Sequence, residues 1–130
     1  MNDMGRADET VLVRGRVAFP RGDRPEPPYT VVVRVEDVSR ADAPSTIVGE
    51  SRLENPPLPT GPQPELDFAV AVPTAVLRGA VRLTVRVHVR PSRPGNLRRG
   101  EAIEIGDLVS TQSHPVGPGS GLIRVPLQRV

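Results

Sequence analysis

Residues 79–90 read GAVRLTVRVHVR. Val81, Leu83, Val85, Val87 and Val89 alternate with Arg82, Thr84, Arg86, His88 and Arg90, and only a half-buried β-strand sends those two sets to opposite faces. The same reading, worked outward, places strands over 10–19, 29–38, 46–53, 66–72, 102–105 and 122–127, with a further short one within 107–112. Between them, PTAVLRG at 73–79 is long enough for one helical turn at most.

The composition agrees with that pattern. Aromatic residues make up 2% of the 130 residues (Phe19, Tyr29 and Phe68), so the core has to be built from Val, Leu and Ile, whose β-branched members favour strands. Sixteen Pro and 12 Gly are spread through the connections between the valine runs, as an all-β domain with many turns requires. No connection carries an amphipathic helix. The expected fold is therefore a single antiparallel β-sandwich of about seven or eight strands, Ig-like or transthyretin-like, over residues 10–130, behind a flexible N-terminus at 1–9. The first strand and the strand at 66–72 are its candidate edges.

With no cysteine in the chain, disulfides, thiolate metal sites and cysteine nucleophiles are excluded. MNDMGRADET at 1–10 has neither a basic nor an apolar leader region, and no apolar run approaches the ~20 residues of a membrane helix. The expectation is a cytoplasmic protein, or a periplasmic one where an export signal has been removed.

Two connections stand out. ENPPLPTGPQP at 54–64 holds five prolines and forces extended backbone, read as a stiff crossover between two sheets in preference to a ligand for a proline-recognition module. RPSRPGNLRRG at 90–100 reads as an exposed hairpin loop, and GPGSG at 117–121 as a turn leading into a strand.

VEDVSRADAPSTIVGESRL at 35–53 is a strand, a polar knot and a second strand. Asp37, Ser39, Asp42 and Pro44 shape a turn there, because Asp and Ser side chains bond nearby backbone amides without any ligand. If Val31, Val33 and Val35 face inward, alternation puts Asp37 on the core side as well, where a lone charge is costly. Backbone hydrogen bonds from the following turn, or Arg40, would answer it.

Residues 33–53, VRVEDVSRADAPSTIVGESRL, resemble the signature of the YbaY/YscW family of type III secretion lipoprotein chaperones and their relatives. PELDFAVAV at 64–72 is similar to that family's P-x-x-F strand, GDLVSTQSHPV at 106–116 to its G-D-x-x-x-T-x-x-x-P-V segment, and VRGRVAF at 13–19 to its first strand. The resemblance implies a β-sandwich without known catalytic residues, some members of which pilot secretin assembly. This sequence departs from the lipoprotein members in having neither a signal peptide nor a lipobox cysteine.

Candidate chemistry is sparse. His88 and His114 are the only histidines and do not stand at metal-ligand spacing. A hydrolase pairing His114 with a serine stays open as an alternative, without a G-x-S-x-G elbow to support it. All 17 basic residues are Arg, and 78–99 holds seven of them with no acid. Arg82, Arg86 and Arg90 thus form a possible anion-binding face, but no aromatic interleaves them as single-strand readers require, which ranks nucleic acid below protein as the partner. Neither a phosphate-cradling motif nor a cofactor motif occurs. The sequence reads as a non-enzymatic, chaperone-like or pilot-like module that binds a protein partner and carries no cofactor.

Overall fold

The structure, a computed structural model, describes residues 9–79, 81–92, 102–117 and 119–130. Strands β1 (Thr10–Ala18), β2 (Tyr29–Asp37), β3 (Thr46–Glu54) and β4 (Glu65–Pro73) are followed by helix α1 (Thr74–Arg78). Then come β5 (Leu83–Pro91), β6 (Leu108–Ser110), β7 (Pro115–Val116) and β8 (Ile123–Arg129). Among the described residues the chain is all-β apart from the single turn of α1. Residues 1–8 of the expected flexible N-terminus and 93–100 of the expected hairpin loop lie outside the described residues.

The strands do not separate into the two facing antiparallel sheets of a sandwich. They follow one hydrogen-bonded path, β3–β2–β5–β6–β8–β1–β4, with β7 beside β5, and that path is nearly closed into a barrel. One pair departs from the expected antiparallel order, because β1 and β8 run parallel from Gly15↔Ile123 to Ala18↔Pro126. β8 serves both halves of the barrel in turn: its first half bonds β1, and Leu127–Arg129 bond β6. Pro126, which has no N–H to give, stands at the handover.

Two glycines permit the closure. A Cβ on Gly15 would stand 2.0 Å from the Ile123 carbonyl oxygen and within 3 Å of the Phe68 ring, so only glycine lets β8 come this close to β1. Between the two ends of the path, a Cβ on Gly49 of β3 would stand 2.6 Å from the Ala71 carbonyl of β4. The true ends are thus β3 and β4, while β1, expected as an edge, lies between β8 and β4.

The interior is filled by the inward rows of valines. Val31, Val33, Val35, Val70, Val72, Val85 and Val125 are fully buried, joined by Phe19, Phe68, Leu83, Leu108 and Leu127. β5 carries the alternation that its sequence announced, but it starts at Leu83 and not at residue 79, since α1 ends at Arg78.

The strand expected over 102–105 does not form. Asp107 Oδ2 accepts the Glu104 N–H at 3.0 Å, the Asp107 N–H donates to the Glu104 carbonyl at 3.1 Å, and Gly106 takes φ +99°. These bonds fold the segment into a turn that leaves Ile103 59% and Ile105 93% exposed. The proline-rich crossover is anchored along its length. Tyr29 Oη bonds the Pro56 carbonyl, Arg24 reaches those of Leu58 and Gly61, and the N–H groups of Gly22 and Phe19 bond those of Pro62 and Pro64. A segment so engaged is a structural tie and not an open proline ligand.

Candidate functional site

The outer face of β3, β2 and β5 is where the sequence concentrates polar chemistry. Register places Arg34 opposite both Glu50 and Arg86, Val32 opposite both Arg52 and His88, and Thr30 opposite both Glu54 and Arg90. The arginines are matched to carboxylates, two of them across strands and Arg52 along its own strand. Arg34 Nε meets Glu50 Oε2 at 2.7 Å, Arg52 Nε meets Glu50 Oε1 at 2.9 Å, and Arg86 Nε meets Glu36 Oε1 at 2.9 Å. Burial resists ionisation of Glu50, but the hydrogen bonds from Arg34 and Arg52 outweigh it and hold the carboxyl below its ordinary range.

A cleft of about 200 Å³ opens on this face between β2, β5 and β6, roofed on one side by Ile103. Its floor is apolar. Val32 points outward yet is only 3% exposed, and Val109 lies beside it. The rim is charged, with Arg34, Glu36, Arg86 and Arg90 around the opening. Arg86 and Ser110 also line a second cleft of about 200 Å³, with Thr84, Thr111, Gln112 and Ser113. The Glu36 side chain is 10% exposed and the Arg86 side chain 61%, so the carboxylate anchors the base of the pair and the guanidinium is presented to solvent. Ser45 Oγ donates a further 2.8 Å bond to Glu36 Oε1.

Behind the rim, His88 Nε2 and Asp107 Oδ2 stand 2.6 Å apart, both nearly buried. This pair joins β5 to the 102–107 turn, and so fixes Ile103 over the cleft. Arg129 closes the far side of the same turn by bonding the Gly106 carbonyl at 2.6 Å and the Asp23 carboxylate, which lowers the Asp23 pKa and raises that of Arg129.

Of the three arginines expected to bind an anion, Arg86 and Arg90 line the cleft, whereas Arg82 stands apart, exposed ahead of β5. Its backbone belongs to the polar knot. The Arg82 N–H donates to Ser39 Oγ at 2.8 Å, Ser39 Oγ donates to Asp37 Oδ1 at 2.5 Å, and the Ser39 N–H donates to the same oxygen at 2.9 Å. Those Ser39 bonds, the hydroxyl's first, hold the Asp37 carboxyl below its usual value. Asp37 is therefore not a core charge. It ends the inward row at the barrel's rim, beside Leu83 of β5, and a β-bulge in β3 that leaves Val48 without a partner marks the same end of the sheet. Asp42 and Pro44 are exposed in the loop beyond it.

His114 does not meet a serine. Its N–H donates to Thr84 Oγ1 at 2.9 Å and its carbonyl accepts from Val85, while the ring Nε2 is buried with no hydrogen-bond partner in the described structure. Burial pushes the imidazole pKa down. Among the described residues no three His, Asp or Glu side chains group to hold a metal, and no helix is long and apolar enough to cross a membrane.

Sequence reasoning found His88 and the arginine face but missed Glu36, Asp107 and Ile103 as parts of one site. The alternation assigns faces within a strand; that Asp107 returns to His88 depends on a turn 19 residues later.

No family model matches the chain, and no curated protein matches its sequence. A solved structure does match: that of an alternative pilotin from the type II secretion system of Vibrio cholerae, at 17% identity and a TM-score of 0.65, over 94% of this chain and 100% of that one. The nearly closed β-fold described above is thus one that this chain shares with a pilotin.

Proposed function

We propose that the chain is a non-enzymatic binding module that holds a segment of a partner protein during assembly or delivery, in the manner of a pilot or chaperone. The observation that carries this reading is the outer cleft, with its apolar floor, charged rim and fixed roof on a rigid sheet. Such a surface suits a protein segment that contributes one apolar side chain and a few polar contacts. The likeness to a pilotin supports it at the level of fold. The motifs at 33–53, 64–72 and 106–116 support placing the chain with the YbaY/YscW proteins. Nucleic acid is the lesser reading, because Arg34, Arg52 and Arg86 are each bound to a glutamate.

Affinity purification of the chain at native expression, followed by mass spectrometry, tests the proposal. A reproducible protein partner is expected. Recovery of none, or of nucleic acid alone in a salt-sensitive complex, overturns it.

A further inference from the structure

Resting on that binding-module reading, we propose that the cleft between β2, β5 and β6 takes an acidic, amphipathic segment of the partner, with an Asp or Glu carboxylate on Arg86 and an apolar side chain between Val32, Ile103 and Val109. Charge complementarity selects this occupant. Arg34, Arg86 and Arg90 line the opening against Glu36 and the Glu50 that Arg34 binds, so the arginines still outnumber these carboxylates, and Glu36 engages Arg86 through Nε, on the inner side of the guanidinium. A guanidinium held at Nε by one carboxylate still presents N–H donors from its outer edge, in the planar geometry that suits a second carboxylate.

The apolar half of the recognition comes from the same residues. Val32 is a strand residue on the outer face that is nonetheless removed from water, and Ile103 is a large apolar side chain left 59% exposed above it. A volume of about 200 Å³ admits one side chain of the size of leucine or isoleucine and not a folded surface. The roof is also anchored. The turn that follows Ile103 is tied to His88 on β5 through Asp107 and to Asp23 through Arg129.

Polyanions fit this site worse than an acidic peptide does. Glu36 and Glu50 lie beside the arginines and repel a continuous phosphate chain, and the cleft offers no aromatic ring on which a base can stack. A single carboxylate beside an apolar group meets neither obstacle.

The test pans a phage-displayed library of random short peptides on the folded chain. The best binder is then followed by fluorescence polarisation against the parent protein, Arg86→Ala and Ile103→Ser, with an oligouridylate as competitor. Enrichment of Asp or Glu next to Leu, Ile, Val or Phe is expected, with affinity falling about tenfold in each variant and falling again as salt is raised. Ile103 is exposed, so Ile103→Ser reads the cleft even where Arg86→Ala, by unpairing Glu36, weakens the fold. Peptides without acidic bias, binding unchanged in Ile103→Ser, or displacement by the oligouridylate overturns the proposal. A natural partner that binds both variants as tightly as the parent also overturns this site, while leaving the binding-module reading in place.

Discussion

At Asp107 one carboxylate oxygen serves both the His88 ring and the Glu104 amide. Asp107→Ala strands the nearly buried His88 ring nitrogen and releases the amide of the exposed Glu104, which costs about 1–3 kcal/mol, and Asp107→Asn, which keeps an acceptor, costs less. Urea denaturation of the two variants beside the parent reads the difference. His114 makes stability depend on pH. Its folded pKa lies below 6.5, so once the pH falls under 6.5 the unfolded chain takes up a proton that the folded one refuses. Stability contributed by the neutral ring is therefore complete above 6.5 and lost as the pH descends from there toward the lowered value, with a slope of at most about 1.4 kcal/mol per pH unit. Denaturant midpoints measured from neutral pH to about pH 5 should show this slope in the parent and a shallower one in His114→Phe. Little of this was legible beforehand. His114 in Ser-His-Pro looks like any turn histidine, and its burial depends on Thr84 lying across from it, 30 residues away in the chain. The turn chemistry of Asp37 and Ser39 was legible, because an acid two residues before a serine amide bonds it locally; that Ser39 also holds Arg82 was not.

Elements were readable in proportion to how fully their own residues decide them. β5 could be read because its four alternating apolar positions, Leu83, Val85, Val87 and Val89, leave no other face to bury, and β1 to β4 were read from their apolar positions in the same way. Residues 102–105 alternate too, yet over so short a span that two hydrogen bonds involving Asp107 outweigh the pattern. Nothing in Pro115–Val116 marks it as a strand; β7 exists because β5 passes beside it. Element contacts of this kind also make glycine positions decisive. Gly15→Ala puts a methyl where the Ile123 carbonyl and the Phe68 ring already lie, and the backbone oxygen cannot yield without moving β8. A loss of about 3 kcal/mol or more is expected, at the upper end for an overpacked core. Hydrogen exchange should then quicken at the β8 amides before those of β2 and β5.

For the molecule as a whole, the 17 arginines against 15 acids gave a nearly balanced total whose arrangement the sequence hid. The run of arginines over 78–99 suggested a basic face, but folding sets Arg86 on Glu36 and Arg34 on Glu50, residues from outside that run. The exposed pairs Arg16–Asp67 and Arg124–Glu65, on β1, β4 and β8, follow the same rule and contribute little each. An all-β domain was evident from valine periodicity, whereas the choice of barrel over sandwich rests on where β8 pairs, and pairing between distant strands leaves no local mark. That choice reaches into kinetics. β1 and β8 meet across a chain separation on the order of a hundred residues, so the entropy of closing that loop is lost before any parallel contact compensates for it. Stopped-flow refolding should accordingly run on the scale of milliseconds to seconds, with Gly15→Ala slowing it if the β1–β8 seam forms in the transition state and only hastening unfolding if it forms afterwards. On a ribosome the barrel cannot shut until Ile123 has cleared the exit tunnel. Until then β1 presents an unpaired edge to whatever else is in the cell, and a nascent chain of this design has reason to need a chaperone of its own.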